Sequence, residues 1–209
     1  FAEGQGAFAR RALERLGVTV RTNAVVVGVD ADGVTLREGD AEQRLAARTV
    51  LWAAGVSASP LGRAFAEQVD RAGRVKVRED LSVPGCSGVF VVGDLATLAG
   101  PNGAPYPGVA QVAMQQGAQA ARNILRLIDG EPTRAFRYRD YGNMATIGRA
   151  KAIADFGWLR MQGFIAWLAW LFIHLVKLIG FRNRLSVMLQ WAWAYLSYQR
   201  NVRLITEDD

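Results

Sequence analysis

The chain has 209 residues, 51% hydrophobic and 21% charged, which excludes a disordered or fibrous protein and allows one domain or two small ones. One cysteine, Cys86, excludes an internal disulfide framework, and with one histidine, His174, a Cys/His zinc site is excluded too. The net charge of +6 is unevenly placed: residues 1–100 balance 12 basic against 12 acidic groups, whereas 134–206 hold 11 basic and 2 acidic groups and five of the six tryptophans.

Phe1, not Met, opens the chain in mid-pattern, with neither the basic nor the apolar region of a signal peptide, so the chain is expected to be a piece whose beginning lies upstream. Residues 5–16 (QGAFARRALERL) put Phe8, Ala12, Leu13 and Leu16 at helical spacing, and Gly17 ends the helix. A short strand is predicted at 18–21. Residues 25–30 and 34–37 flank Asp30-Ala31-Asp32-Gly33, a hairpin signal. The apolar run 48–54 (RTVLWAA) predicts a buried strand that ends in a sharp turn at Gly55. Residues 75–77 read as a weak strand and Pro84-Gly85 as a turn. Val89-Phe90-Val91-Val92 predicts a buried strand with Gly93-Asp94 at its carboxyl end. A Gly- and Pro-rich loop then leads to a long helix over 109–128, closed by Gly130. Strands are expected near 137–138 and 144–147.

The character changes from Trp158. Residues 163–176 contain one ionisable group, His174, and are followed by Lys177. Arg182-Asn183-Arg184 makes a basic break before a second apolar segment, 185–198, and Glu207-Asp208-Asp209 is a solvated acidic end. On a helix, Phe164, Leu168, Leu171, Leu175 and Leu178 form one apolar stripe, while Trp170, His174 and Lys177 line another side. A spanning helix needs about 20 mostly apolar residues, and neither segment supplies them. The pair is therefore read as lying in the plane of a membrane, ahead of a true span or a buried helix pair. Basic flanks with interfacial Trp and Tyr point to an anionic lipid surface. Nucleic acid is set aside, because the aromatics sit inside aliphatic helices. His174 reads as a polar-seam residue, since no Asp or Glu lies between Asp155 and Glu207 to orient it.

Gly4-Gln5-Gly6-Ala7-Phe8-Ala9 matches a G-x-G-x-x-A string, but no strand precedes it and the downstream pattern fits poorly, so it is rejected as a phosphate loop. Gly93-Asp94 is more specific. A carboxylate at the carboxyl end of a central strand sits where doubly wound sheets bind ligands, and glycine lets a ligand approach the backbone. Asp94 there could accept sugar or ribityl hydroxyls, or serve only as a turn or helix-cap aspartate. The next helix would offer free N–H groups and a positive dipole end near Ala110 and Gln111, with Gln115 one turn on along the same face.

Leu51-Trp52-Ala53-Ala54-Gly55-Val56, Val91-Val92-Gly93-Asp94-Leu95-Ala96 and Ala110-Gln111-Val112-Ala113-Met114-Gln115-Gln116-Gly117, in that order and spacing, resemble the type II NADH dehydrogenases. These are the single-subunit NADH:quinone oxidoreductases of respiratory membranes. Gly142-Asn143-Met144-Ala145-Thr146-Ile147-Gly148 and the Trp-rich C-terminal segments resemble the same family. The resemblance covers essentially the whole chain but only about the C-terminal half of the family pattern.

The resemblance implies an α/β chain, part of a glutathione-reductase-like flavoprotein with two dinucleotide-binding domains, ending in a pair of amphipathic membrane-attachment helices. Residues 1–56 would close the NADH-binding domain, 57–157 the FAD-binding domain, 158–200 would anchor to the membrane, and 201–209 would be a tail. Gly93 and Asp94 would hold the ribityl chain of FAD. Ala110 and Gln111 would approach its ring, and Ala54 and Gly55 would lie near the nicotinamide of NADH. Gln111 and Gln115 would border a membrane quinone, with Trp170 closing that pocket from the membrane side. The implied reaction passes a hydride from NADH to FAD and two electrons to the quinone, with no nucleophile or acid–base residue, no metal, and no coupled proton pumping. The implied location is the cytoplasmic face of the cell membrane, peripheral and monotopic, and a homodimer stays open. The rivals are another FAD-dependent quinone reductase, such as a sulfide:quinone oxidoreductase, for which Cys86 supplies only one of the two redox cysteines needed, and a non-catalytic membrane-bound scaffold.

Overall fold

The computed structural model describes residues 1–178 and 180–197, apart from the side chains of 66 and 67. The expected tail at 201–209 and the last three positions, 198–200, of the expected anchor lie outside the described residues. In chain order the elements are α1 (Glu3–Glu14), β1 (Ala24–Asp30), β2 (Gly33–Glu38), β3 (Ala41–Ala46), β4 (Val75–Lys76), β5 (Ala96–Thr97), α2 (Ala110–Ile128), β6 (Asn143–Thr146), β7 (Ala152–Asp155), β8 (Arg160–Gly163), α3 (Phe164–Lys177) and α4 (Phe181–Ser197). Short 3-10 segments occupy Pro60–Gln68 and Gly93–Leu95. The chain divides into two compact units, Val26–Tyr141 and the pair of segments Phe1–Val25 with Gly142–Asp209.

The first unit carries the predicted hairpin. Asp32 N–H donates to Asp30 Oδ1 at 2.9 Å inside its turn. Gly33 closes the turn at φ +151, where a Cβ would collide with the Leu45 carbonyl. A third strand, β3, joins antiparallel to β2 with Gly33 opposite Ala46 and Glu38 opposite Ala41. Every residue of β3 is exposed, so no apolar alternation announced it. Arg44 pairs with Asp30 across this sheet, and its hydrogen bond holds the Asp30 carboxyl down to about 2. Beyond the sheet, β4 pairs in parallel with β5. Val75, Val83 and Val91 form one buried cluster, and Leu81, Leu98, Ala120 and Phe136 form another under α2.

In the second unit, β6, β7 and β8 make an antiparallel sheet, with Ala145 opposite Ile153 and Ala154 opposite Met161. Ala12 of α1 packs on Ile147 and Ile153. Gln5 is 5% exposed and donates from Nε2 to the carbonyls of Ala154, 2.8 Å, and Met161, 3.2 Å. The rejected glycine string is thus helical backbone, and Gln5 satisfies strand carbonyls. Gly163, at φ +79, turns β8 straight into α3, and Ala166 meets Ala152 and Ala154, all three fully buried. Small residues on both sides let helix and sheet approach closely.

Four predicted strands are not formed. Residues 18–21 and 48–54 are irregular, with Leu51 87% and Trp52 63% exposed. A central parallel strand draws hydrogen bonds from neighbours on both sides, and among the described residues no strand runs beside 48–54. Residues 89–92 form a single bridge, Phe90 to Ser82. Residues 137–138 lie in an irregular segment. The apolar segments at the C-terminus are the helices α3 and α4. Phe172, Phe181, Trp193 and Leu196 are each more than 60% exposed on them. Among the described residues no helix is long and apolar enough to cross a membrane.

Candidate functional site

The site gathers around the N-terminus of α2. Gly93 begins a tight turn at φ +69, a conformation that glycine adopts without penalty. Its N–H donates to Gln116 Oε1 at 2.7 Å, and Gln116 is 2% exposed. A Cβ on Gly93 would lie 3.4 Å from Ala113 Cβ, so the turn sits directly on the first turns of α2. Asp94 follows, exposed, and its carboxylate rests against Gly108, where a Cβ would lie 3.3 Å from Oδ1.

Helix α2 starts from Val109, whose backbone is extended. The N–H groups of Val112 and Ala113 return to the Val109 carbonyl at 3.0 and 3.2 Å. No side chain caps this end and no acidic residue stands in its first turn. The positive end of the helix dipole and the first N–H groups therefore face outward beside an exposed carboxylate and two glycines. This arrangement can accept hydroxyls at Asp94 and stabilise negative charge at the helix end.

Gln111 and Gln115 belong to a longer ladder. Gln111 Oε1 accepts from Tyr141 N–H at 3.1 Å. Gln115 holds both backbone groups of Arg139, accepting at 3.0 Å and donating at 2.9 Å. Gln119 Nε2 donates to Asn123 Oδ1 at 3.1 Å. Asn123, fully buried, accepts from Arg134 N–H at 2.9 Å and donates to the carbonyls of Arg134, 2.9 Å, and Asp80, 3.0 Å. Amides at i, i+4, i+8 and i+12 thus zip the extended segment 134–141 onto one face of α2. At Arg134, Arg139 and Tyr141 the helix amides take the place of a strand ladder.

The ladder's far end is pinned at Asp80. Burial pushes the Asp80 carboxyl up, but Ser82 Oγ at 2.6 Å, Thr133 Oγ1 at 2.7 Å and Ser82 N–H outweigh it and hold the carboxyl below the ordinary range. Burial also raises the Tyr138 hydroxyl, with Asp140 adding to the effect.

Gly93, Asp94, Ala110, Gln111 and Gln115 are therefore brought to one end of α2. Ala54 and Gly55 are exposed in the irregular segment after β3, with Gly55 at φ +111, and no hydrogen bond joins them to that cluster. Trp170 belongs to the other unit, where its ring stacks on His174 at 4.2 Å and on Trp191 at 5.8 Å. His174 Nδ1 donates to the Trp170 carbonyl at 2.8 Å, which fixes the ring within α3. Sequence reasoning missed Gln116, Gln119 and Asn123. For two of them the signal was available: Gln116 and Asn123 fall on the buried stripe of α2 with Val112 and Ala120, and a polar residue on such a stripe needs a partner.

Residues 1–117 match the family model described as pyridine nucleotide-disulphide oxidoreductase, and residues 141–200 match that of the NDH2 C-terminal domain. The type II NADH:quinone oxidoreductase Ndh of Mycobacterium tuberculosis is 44% identical over 98% of this chain and 44% of its own length. A type II NADH:quinone oxidoreductase of Staphylococcus aureus is 38% identical over 65% of this chain and 34% of its own length. The chain thus spans less than half the length of these relatives. Among solved structures, NDH2 from Plasmodium falciparum in complex with NADH superposes with a TM-score of 0.85 at 15% identity, over 97% of this chain and 56% of that one. The sulfide:quinone oxidoreductase of Aquifex aeolicus gives a TM-score of 0.59 at 12% identity, over 90% of this chain and 44% of that one. These likenesses place the mixed α/β fold.

Proposed function

The chain belongs to the pyridine nucleotide-disulphide oxidoreductase family, and from that premise we propose that it forms the flavin- and quinone-handling part of a single-subunit NADH:quinone oxidoreductase. The observation that carries this is the exposed Asp94 carboxylate against Gly108, beside the uncapped end of α2. FAD fits the residues present. Asp94 would take the ribityl hydroxyls, and Gly108 leaves room beside it where a Cβ would press on Oδ1 at 3.3 Å. The positive end of α2 suits a ring that takes up negative charge. When bound, FAD supplies hydride acceptance from NADH and two-electron delivery to a quinone.

The chain's own residues bind and orient. Ala110 has a side chain small enough for a ring to approach the helix end. Gln111 and Gln115 are already fixed by Tyr141 and Arg139, so their amides form a rigid edge that a quinone would meet. Ala54 and Gly55 are proposed for the nicotinamide side. Helices α3 and α4, apolar around most of their circumference and free of Asp and Glu over 156–197, are proposed to lie in the plane of an anionic lipid surface at the cytoplasmic face, with no proton pumping.

Asp94→Ala in the full-length protein is expected to lower flavin per protein after desalting, read by absorbance. Undiminished flavin content would overturn the assignment. Gln111→Ala is expected to slow quinone reduction more than reduction of a soluble acceptor, and equal losses would remove Gln111 from the quinone edge.

A further inference from the structure

Trp158 is the most exposed of the six tryptophans, at 86%, and it stands at the tip of the β7–β8 hairpin. The turn beneath it is braced. Phe156 N–H donates to the Leu159 carbonyl at 3.0 Å, and Gly157 takes φ +81. Gly157 N–H donates to Asp155 Oδ1 at 2.9 Å, and Arg160 Nε donates to Asp155 Oδ2 at 3.1 Å across the two strands. The indole is therefore carried on a closed two-residue turn and held out from the sheet.

The two faces of this hairpin differ. Ile153 packs with Ala12 of α1, whereas its neighbours Ala152 and Ala154 meet Ala166 of α3. Alternation along β7 puts Asp155 on the α1 face and Phe156 on the α3 face, where Phe156 and Met161 pack against the three alanines. Pairing sets Arg160 opposite Asp155 and Leu159 opposite Phe156. The charged brace thus lies on one side of the turn, and Phe156 with Leu159 on the side that faces α3. Strand β8, four residues and about 13 Å long, joins the turn to α3, whose first residues Phe164 and Ile165 are exposed. Residues 142–197 carry six basic side chains and one acidic, Asp155, which is paired with Arg160.

An indole joins an apolar ring to one N–H donor and is enriched where a membrane meets water, and a net positive surface suits an anionic leaflet. We propose that Trp158 is a membrane wedge: the tip of the β7–β8 hairpin seats its indole in the interfacial layer of an anionic lipid surface, as a contact separate from α3 and α4. This rests on the reading of α3 and α4 as membrane-lying helices and adds a non-helical point to it. A helix pair alone can roll about its long axis on a lipid surface. A braced turn in the same unit, sunk into that surface, stops the roll and fixes the tilt.

The test uses the full-length protein and phosphatidylglycerol vesicles. Trp158→Ala is expected to weaken cosedimentation about tenfold, with reduction of a soluble acceptor in detergent unchanged. Trp158→Phe supplies a second reading, because the emission that the wild type has in excess of this variant belongs to Trp158. That difference emission is expected to be open to acrylamide without vesicles, and to be quenched by vesicles brominated near the headgroup end of the acyl chains. If the wild type sediments and Trp158→Ala sediments equally well, or if bromine leaves the difference emission untouched, the wedge is overturned and the membrane reading stands. A wild type that fails to sediment removes the membrane reading and the wedge with it. Difference emission already shielded from acrylamide in solution shows that another part of the full-length chain covers the indole, and a lower oligomeric state in Trp158→Ala shows a second copy seated on it; either overturns the proposal.

Discussion

Gln116 Oε1 accepts the N–H of Gly93 at 2.7 Å, across 23 residues of sequence, and does so from a position only 2% exposed. The bond ties the left-handed Gly93 to the body of α2 and thereby sets the direction in which Asp94 leaves the turn. Gln116 is a positioning residue rather than a ligand. Gln116→Ala is expected to leave the half-buried Gly93 N–H without its acceptor, at a cost of about 1–2 kcal/mol, visible as a lower Tm. Gln116→Glu keeps the acceptor. If positioning is the role, Gln116→Glu should retain more flavin than Gln116→Ala at matched stability, and equal loss in both would point to packing alone.

The amide ladder makes a separable statement about Gln115. Its two hydrogen bonds to Arg139 hold the middle of segment 134–141. Gln115→Ala is expected to speed hydrogen exchange at Arg139 while leaving Arg134, which is held by Asn123, protected. The global cost is about 1–2 kcal/mol, because the freed backbone lies near solvent and is rehydrated. Uniform loss of protection along the segment would mean that it detaches as one piece and that the rungs are not independent.

Asp80 gives the ladder a pH dependence. Its carboxyl is held below the ordinary range by donors from Ser82 and Thr133, although burial opposes them. A depressed carboxyl contributes stability that is fully present above the unfolded-state value, about 3.9, and is lost as pH falls through the lower folded value. Thr133→Val removes the 2.7 Å donor and brings the two values closer together. Denaturant unfolding of the wild type is therefore expected to show stability falling below about pH 4, and Thr133→Val to show a shallower fall from a lower plateau. Parallel profiles for the two proteins would remove Asp80 from the acid response.

Local signals fixed much of this fold in advance. Helices α1, α2 and α3 and the β1–β2 turn follow from apolar spacing and glycine punctuation. The strands that failed to form, 48–54 above all, carry the composition of buried parallel strands, and that composition needs neighbours that the described residues do not supply. The motif beginning at Gly142 was legible only as a resemblance. Its physical reason is close approach: at φ +91, a Cβ on Gly142 would collide with the Asp155 carbonyl and lie 2.7 Å from Phe156 Cα, and a Cβ on Gly148 would lie 3.0 Å from Leu16 Cδ1. That Asp94 and the two motif glutamines lie near the start of α2 follows from the sequence. That Gln115 is taken up by Arg139 does not, because its partner is backbone in an irregular segment.

Arg149 joins α4 to the loop between β6 and β7. Its guanidinium donates to the carbonyls of Ala194, 3.0 Å, and Tyr195, 3.2 Å, near the C-terminal end of the helix, and lies 4.7 Å from the centre of the Tyr195 ring. Ala150 N–H donates to the Tyr195 hydroxyl at 3.3 Å, so one tyrosine is held from two sides. A cation at the carbonyl end of a helix and an exposed cation–π contact each contribute about 0.5–1 kcal/mol. Arg149→Ala is therefore expected to weaken the docking of α4 by about 1–2 kcal/mol, within the usual cost of one lost contact network. The readouts are faster proteolysis within 181–197 and a red shift in the emission of the half-buried Trp191 as it gains water. Arg149→Lys keeps the charge but loses the planar guanidinium that lies over the Tyr195 ring, and it should recover only part of the protection. Full recovery by lysine would show that charge at the helix end suffices, and no change in Arg149→Ala would show that the remaining contacts, Trp167, Trp170 and the Ala150 N–H, hold α4.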